Sequence, residues 1–170
     1  LLDAGTKISE SVWHINRSIG FITYSRVART HKPGEQKQIT LRFFKLTFCA
    51  ITLATGCILL IPEWIYTDYL FSAEFAGMHN VITGLSAGII ALACNSILCQ
   101  YFTGSGKIRY STGSSFVGLI SLLVSGYLLI PHYGVFGSAI SSSIAFSTML
   151  AFSMIIFCWK TGTRPKDFLI

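Results

Sequence analysis

Long apolar runs recur along the chain, each closed by proline, glycine or a group of charges. Four of them, at about 39–61, 80–102, 111–130 and 137–159, approach the roughly 20 residues of helix that cross a ~30 Å hydrocarbon core. Pro62 is expected to end the first and Pro131 the third, because proline cannot donate to the helical ladder. Apolar and polar residues do not alternate over any useful length, which argues against a β-barrel. The pattern therefore predicts spanning α-helices.

A fifth segment, 8–28, is long enough to span but contains Glu10, His14, Asn16 and Arg17. A helix wholly exposed to lipid does not tolerate these groups. The segment is expected either to lie in the interface or to cross the bilayer with a wet face.

Composition supports the same solvent. Of 170 residues, 52% are hydrophobic and 12% charged, with a mean hydropathy of +0.60. Soluble domains carry about 25% charged residues, so this chain has too few to cover a water-facing surface. The net charge of +6 then reads as membrane orientation. No basic-aromatic platform or helix-turn-helix pattern points to nucleic acid. Cys49, Cys57, Cys94, Cys99 and Cys158 lie in or beside apolar runs, without CxxC or His spacing, and are expected to pack rather than bind metal. The chain starts at Leu1 without a leader pattern, as expected of an internal or carboxy-terminal piece of a longer protein.

The loops set the direction of each span. Arg26, at the end of 8–28, is followed by Arg29, Lys32 and Lys37 before the next run, with Arg42 and Lys45 just inside it. The connection 62–79 holds Glu63, Asp68 and Glu74 and no Lys or Arg. Lys107 and Arg109 fill loop 103–110, 131–136 carries no formal charge, and Lys160, Arg164 and Lys166 lie in the 160–170 tail. Basic loops alternate with non-basic ones, so the basic side is cytoplasmic under the positive-inside rule. The alternation requires 8–28 to run from outside to inside, giving five spans.

Small residues recur at a spacing of four: Gly84 and Gly88, Ser121 and Ser125, Gly137, Ser141 and Ala145, and Ser138 and Ser142. Helices in lipid associate through such close-packing faces, and a serine can return its hydroxyl to the carbonyl one turn earlier. Packing is the expected role of these serines, ahead of substrate contact.

Candidate chemistry gathers on the 8–28 segment. Glu10, His14, Arg17 and Tyr24 fall near one helical face, and Arg17 would lie near mid-membrane. A charge at that depth costs from about 2.5–3.5 kcal/mol on insertion scales to over ~10 in simulations. It therefore needs a partner or a water-filled cavity. A guanidinium in a cavity suits phosphate or carboxylate oxygens, although an internal pair with Glu10 is an equal alternative. His14, four residues from Glu10, fits a helix pair better than a proton switch. Asn95 continues the small stripe Thr83–Ala87–Ala91, where it lines the same cavity or makes interhelical hydrogen bonds. Arg17, His14, Glu10 and Asn95 are thus the candidate substrate-binding residues. Paired-carboxylate and HExxH motifs are absent from the sequence. Gly104-Ser105-Gly106-Lys107 lacks the first glycine of a phosphate-binding loop. Neither an enzyme nor a metal or cofactor site is expected.

Four stretches carry a likeness to a known family: ISESVWHINRSIGFITYSRVAR (8–29), IYTDYLFSAEFAG (65–77), FTGSGKIRYST (102–112) and LLIPHYGVFGSAISS (128–142). In order and character they resemble the carboxy-terminal half of the polysaccharide-biosynthesis or O-antigen flippases. These are relatives of the multidrug and lipid II exporters. The chain departs from the family at Asn16, where relatives often have proline, and in TDYLFSAEF, where a glycine before the glutamate is commoner. The resemblance implies an all-α, polytopic bundle forming most of one lobe of a two-lobe transporter in a bacterial inner membrane. It implies an undecaprenyl-diphosphate-linked oligosaccharide as cargo, with membrane lipids and the amino-terminal lobe of the same protein as partners. A drug/cation antiporter of the same superfamily is the alternative, and an intramembrane polyprenyl-phosphate enzyme is a more distant one.

Overall fold

The structure, a computed structural model, describes residues 17–30, 32–60 and 78–163. Helix α1 occupies 17–29, α2 Pro33–Leu59, α3 Met78–Gly104 and α4 Ile108–Thr161. Among the described residues there is no strand. Four segments are long and apolar enough to cross a membrane: Pro33–Cys57, Gly84–Gly104, and the two limbs of α4, Ile108–Gly134 and Phe136–Thr161. The all-α membrane bundle expected from hydropathy is what forms. The fifth span lies partly outside the described residues, which begin at Arg17.

Helices α2 and α3 and both limbs of α4 are longer than the apolar runs that predicted them. Proline is tolerated at the first helical position because its missing N–H has no intrahelical partner there. So α2 starts at Pro33, with Glu35 in its first turn, where the helix dipole favours an acid. The Glu35 and Gln36 amides both donate to the Lys32 carbonyl, each at 3.1 Å. Hydropathy marks the stretch that lipid covers, whereas the helix continues into the polar interface.

Pro131 does not end a helix as expected. It lies inside α4, and the reversal falls at Gly134, with φ 55° and ψ −128°. Pro131 forfeits one ladder bond close to the end of its limb, which the helix survives. The positive φ at 134 is open to glycine and costly for other residues. The two limbs then run antiparallel. Ser125 Oγ lies 3.4 Å from the Ser141 carbonyl and Ser114 Oγ 3.2 Å from that of Met149. Lys160 Nζ sits 5.6 Å from the Tyr110 ring centre.

Helix α3 is the centre of the bundle, with α4 on one flank and α2 on another. It runs parallel to the second limb of α4: Gly84 meets Phe136 and Ala139, Gly88 meets Ser143 and Phe146, and Tyr101 meets Phe157. It also runs parallel to α1, since Gly20 packs on Gln100 while Gly104 packs on Val27 and the Tyr24 carbonyl. Gln36 ties the α1–α2 turn, its amide donating to Val27 O at 3.1 Å and Thr30 O at 2.6 Å. Up and down directions therefore alternate along the chain as the charge pattern requires. Arg26, Arg29, Lys32, Lys37, Lys107, Arg109 and Lys160 all come to one end of the bundle.

The apolar core lies toward that basic end, where Val27, Phe44, Cys94, Ile97, Leu98, Tyr101, Phe102 and Phe157 cluster. Tyr101 and Phe157 meet edge to face at 4.9 Å, a geometry that adds about 0.5–1.5 kcal/mol to burial alone. Outward, the limbs of α4 expose Phe116, Leu119, Leu123, Tyr127, Leu128 and Ile155. In water this surface would aggregate, whereas hydrocarbon matches it.

Candidate functional site

The inward stripe of α3 advances by alternating steps of four and three: Gly84, Gly88, Ala91, Asn95, Leu98, Phe102. A strict spacing of four drifts around a 3.6-residue helix, so the expected stripe Thr83–Ala87–Ala91–Asn95 is only half right. Ala91 and Asn95 are buried, but Ala87 is exposed, and the Thr83 side chain lies outside the described residues.

Midway along this stripe three polar side chains from three helical segments meet. Ser153 Oγ donates to Asn95 Oδ1 at 2.7 Å and lies 2.9 Å from Ser114 Oγ. Ser114 Oγ is 3.3 Å from the same amide oxygen and 3.2 Å from Met149 O. Asn95 is 3% exposed, and both serines are fully buried. A hydroxyl left unpaired there would cost about 1–3 kcal/mol. The knot therefore fixes the rotation and depth of α3 against both limbs of α4. Sequence reasoning singled out Asn95 but missed Ser114 and Ser153. Each is one serine among many in a small-residue background, and no local signal separates a knot former from a packing serine.

The packing serines behave as expected. Ser141 Oγ donates to Gly137 O at 2.7 Å, Ser142 Oγ to Ser138 O at 3.0 Å and Ser125 Oγ to Ser121 O at 2.6 Å. Gly137, Ser141 and Ala145 form one buried face, with Ser138 turned outward. Ser143 Oγ crosses to α3 and donates to Gly84 O at 2.5 Å.

Arg17 is the first described residue and is exposed. With Ser18, Phe21 and Ile22 it lines an open groove of about 450 Å³ on the outer face of α1. The Gly20–Gln100 register sets Arg17 level with about Ile97. That is seven residues, or about 10 Å at 1.5 Å per residue, inside the Gly104 end. Arg17 thus stands between the midpoint of α3 and its basic end. Asn95 stands near the same level but faces α4, so it does not line the groove beside Arg17. Its place is in interhelical hydrogen bonding. Glu10 and His14 lie outside the described residues.

Aromatic rings hold two of the cations at the basic end. Arg26 stacks over Phe43 at 5.8 Å, and Lys160 lies between Tyr110 and Trp159, 4.9 Å from the latter. Glu35 is the one carboxylate among the described residues, and it pairs with Lys32 at 3.5 Å.

The chain is 24% identical over 139 residues to an uncharacterized membrane protein of Methanocaldococcus jannaschii. Four apolar spans and a membrane-protein relative lead to one conclusion. The chain is a multi-pass membrane protein. The match covers 81% of this chain and 27% of the relative, so the chain spans about a quarter of that protein's length. No family model matches the chain, and no solved structure matches it.

Proposed function

We propose that this chain is part of a transporter that moves a lipid-linked oligosaccharide across a bacterial inner membrane. On this reading its basic end faces the cytoplasm. The observation that carries the proposal is the placement of Arg17. It is a guanidinium on an exposed helix face, about 10 Å inside the basic end by helical rise, beside a groove also lined by Ser18, Phe21 and Ile22. Such a charge is sustained by an aqueous cavity or an anionic partner. A diphosphate offers oxygens that match the planar fork of arginine, while the polyprenyl tail stays in the bilayer. The outer face of α1 would then meet the amino-terminal lobe of the same protein across the cavity. Rocking of the lobes would expose Arg17 to either side in turn. The sequence likeness to the flippases supports this reading independently of the groove.

The test is Arg17→Ala and Arg17→Lys in the full-length parent, scored as lipid-linked sugar accumulating at the inner leaflet. A charge-assisted hydrogen bond contributes about 1.5–3 kcal/mol, so the alanine variant is expected to lose at least about tenfold in transport. Lysine is expected to restore part of it. Full transport in both variants would remove Arg17 from the mechanism. Hydrolysis of a polyprenyl phosphate by the purified protein would assign an enzyme instead.

A further inference from the structure

The start of α4 carries a feature that the cargo reading does not use. Ile108, Arg109, Thr112, Gly113 and Phe116 line a shallow groove of about 460 Å³. Their spacing of three and four sets them along one helix face. The chemistry changes along its length, from the Arg109 cation near the loop to Gly113, which packs against the Phe152 ring, and then to Phe116, 62% exposed. Lys107 precedes the groove, and Lys160 lies over the Tyr110 ring, one residue from Arg109. None of these three cations has a carboxylate partner among the described residues, where Glu35 is already paired with Lys32. Tyr110 and the exposed Trp159 stand at the same level, the position that aromatic residues take at the membrane–water boundary.

We propose that this groove is a binding site for an anionic phospholipid. Arg109 takes the phosphate oxygens through its fork, Lys107 and Lys160 hold the net negative charge, and an acyl chain lies over Gly113 against Phe116. Inorganic phosphate would leave the apolar half of the groove, Ile108 and Phe116, uncovered. A zwitterionic headgroup brings its own cation into a cluster that is already positive. A diacyl anion satisfies both halves, and the site does not depend on what the transporter carries.

The experiment is native mass spectrometry of the full chain in detergent, with equimolar phosphatidylglycerol and phosphatidylcholine of matched acyl chains. One basic side chain near the membrane surface is worth about a fivefold preference for an anionic lipid. The wild-type protein is therefore expected to retain phosphatidylglycerol at least about fivefold over phosphatidylcholine. Arg109→Gln, at an exposed position that leaves the core intact, is expected to cut that ratio about fivefold, and Arg29→Gln on α1 much less. Phe116→Ser is expected to lower retention of both lipids while keeping their ratio. Equal retention of the two lipids by wild type would overturn the proposal. So would equal losses in Arg109→Gln and Arg29→Gln, which would mean diffuse charge, or displacement of the lipid by excess inorganic phosphate, which would mean an anion site alone.

Discussion

Replacing Gly88 with alanine places a methyl group where no space exists. An ideal Cβ there would sit 2.7 Å from both Cα and Oγ of Ser143 and 3.2 Å from Phe146 Cδ2. The obstruction includes backbone, so a rotamer change cannot relieve it. The second limb of α4 must move away from α3, and it carries the Ser143–Gly84 hydrogen bond with it. Overpacking of this kind costs about 1–3 kcal/mol, and an interhelical hydrogen bond in a membrane protein averages about 0.6 kcal/mol. Alanine's helix preference returns about 0.5–1 kcal/mol. The net loss is about 1–3 kcal/mol on these terms. Gly56→Ala is the control, because nothing lies within 4 Å of a Cβ at that position, and it should be neutral or mildly stabilising. Both variants would be unfolded with SDS and followed by far-UV circular dichroism. Thiol reactivity of Cys94, 1% exposed, would report opening of the core. A Gly88→Ala midpoint equal to that of Gly56→Ala would refute the close approach of α3 and α4. Ser143→Ala should not rescue the variant, since Cα itself is in the way.

Other substitutions test other joints. Asn95→Leu should destabilise the bundle by about 1–3 kcal/mol by stranding buried hydroxyls. Ser153→Ala should cost clearly less in that background than alone, and a double-mutant cycle measures the difference. Gly134→Val forces a branched side chain onto a positive φ and should lower the SDS midpoint by about 1–3 kcal/mol, whereas Gly34→Ala, with open space around it, should not. Gln36→Leu removes both bonds across the α1–α2 turn, a loss of about 1–3 kcal/mol, and should speed amide exchange at 27–30.

Much of this architecture was legible because lipid makes hydropathy nearly sufficient. The four spans, the hairpin near Gly134 and the gathering of basic loops follow from run length and charge alternation. The helix ends were not legible, since Pro33–Lys37 and Ile108–Tyr110 are helical although they lie outside the apolar runs. Pro131 misled because one missing donor near a limb's end is a small loss, while the conformation at Gly134 decides the turn. The small-residue faces were visible as spacing, but their partners were not. That Gly88 meets Ser143, or that Asn95 meets Ser114 and Ser153, depends on a register between segments that local pattern does not encode. Arg17 was conspicuous as a charge in an apolar setting, yet its depth became measurable only once Gly20 was seated on Gln100.

The central claim is that α1 stands alongside α3 with Arg17 facing water inside the bundle's thickness. Arg17→Cys in an otherwise cysteine-free protein, treated with a membrane-impermeant thiol reagent, tests it directly. Leu119→Cys, on the lipid-exposed face of α4, and Lys107→Cys, in the exposed basic turn, set the lower and upper limits. Labelling at 17 within about tenfold of position 107, and well above position 119, is the predicted result. The tenfold margin equals about 1.4 kcal/mol of access free energy. Labelling at 17 no faster than at 119 would contradict the account.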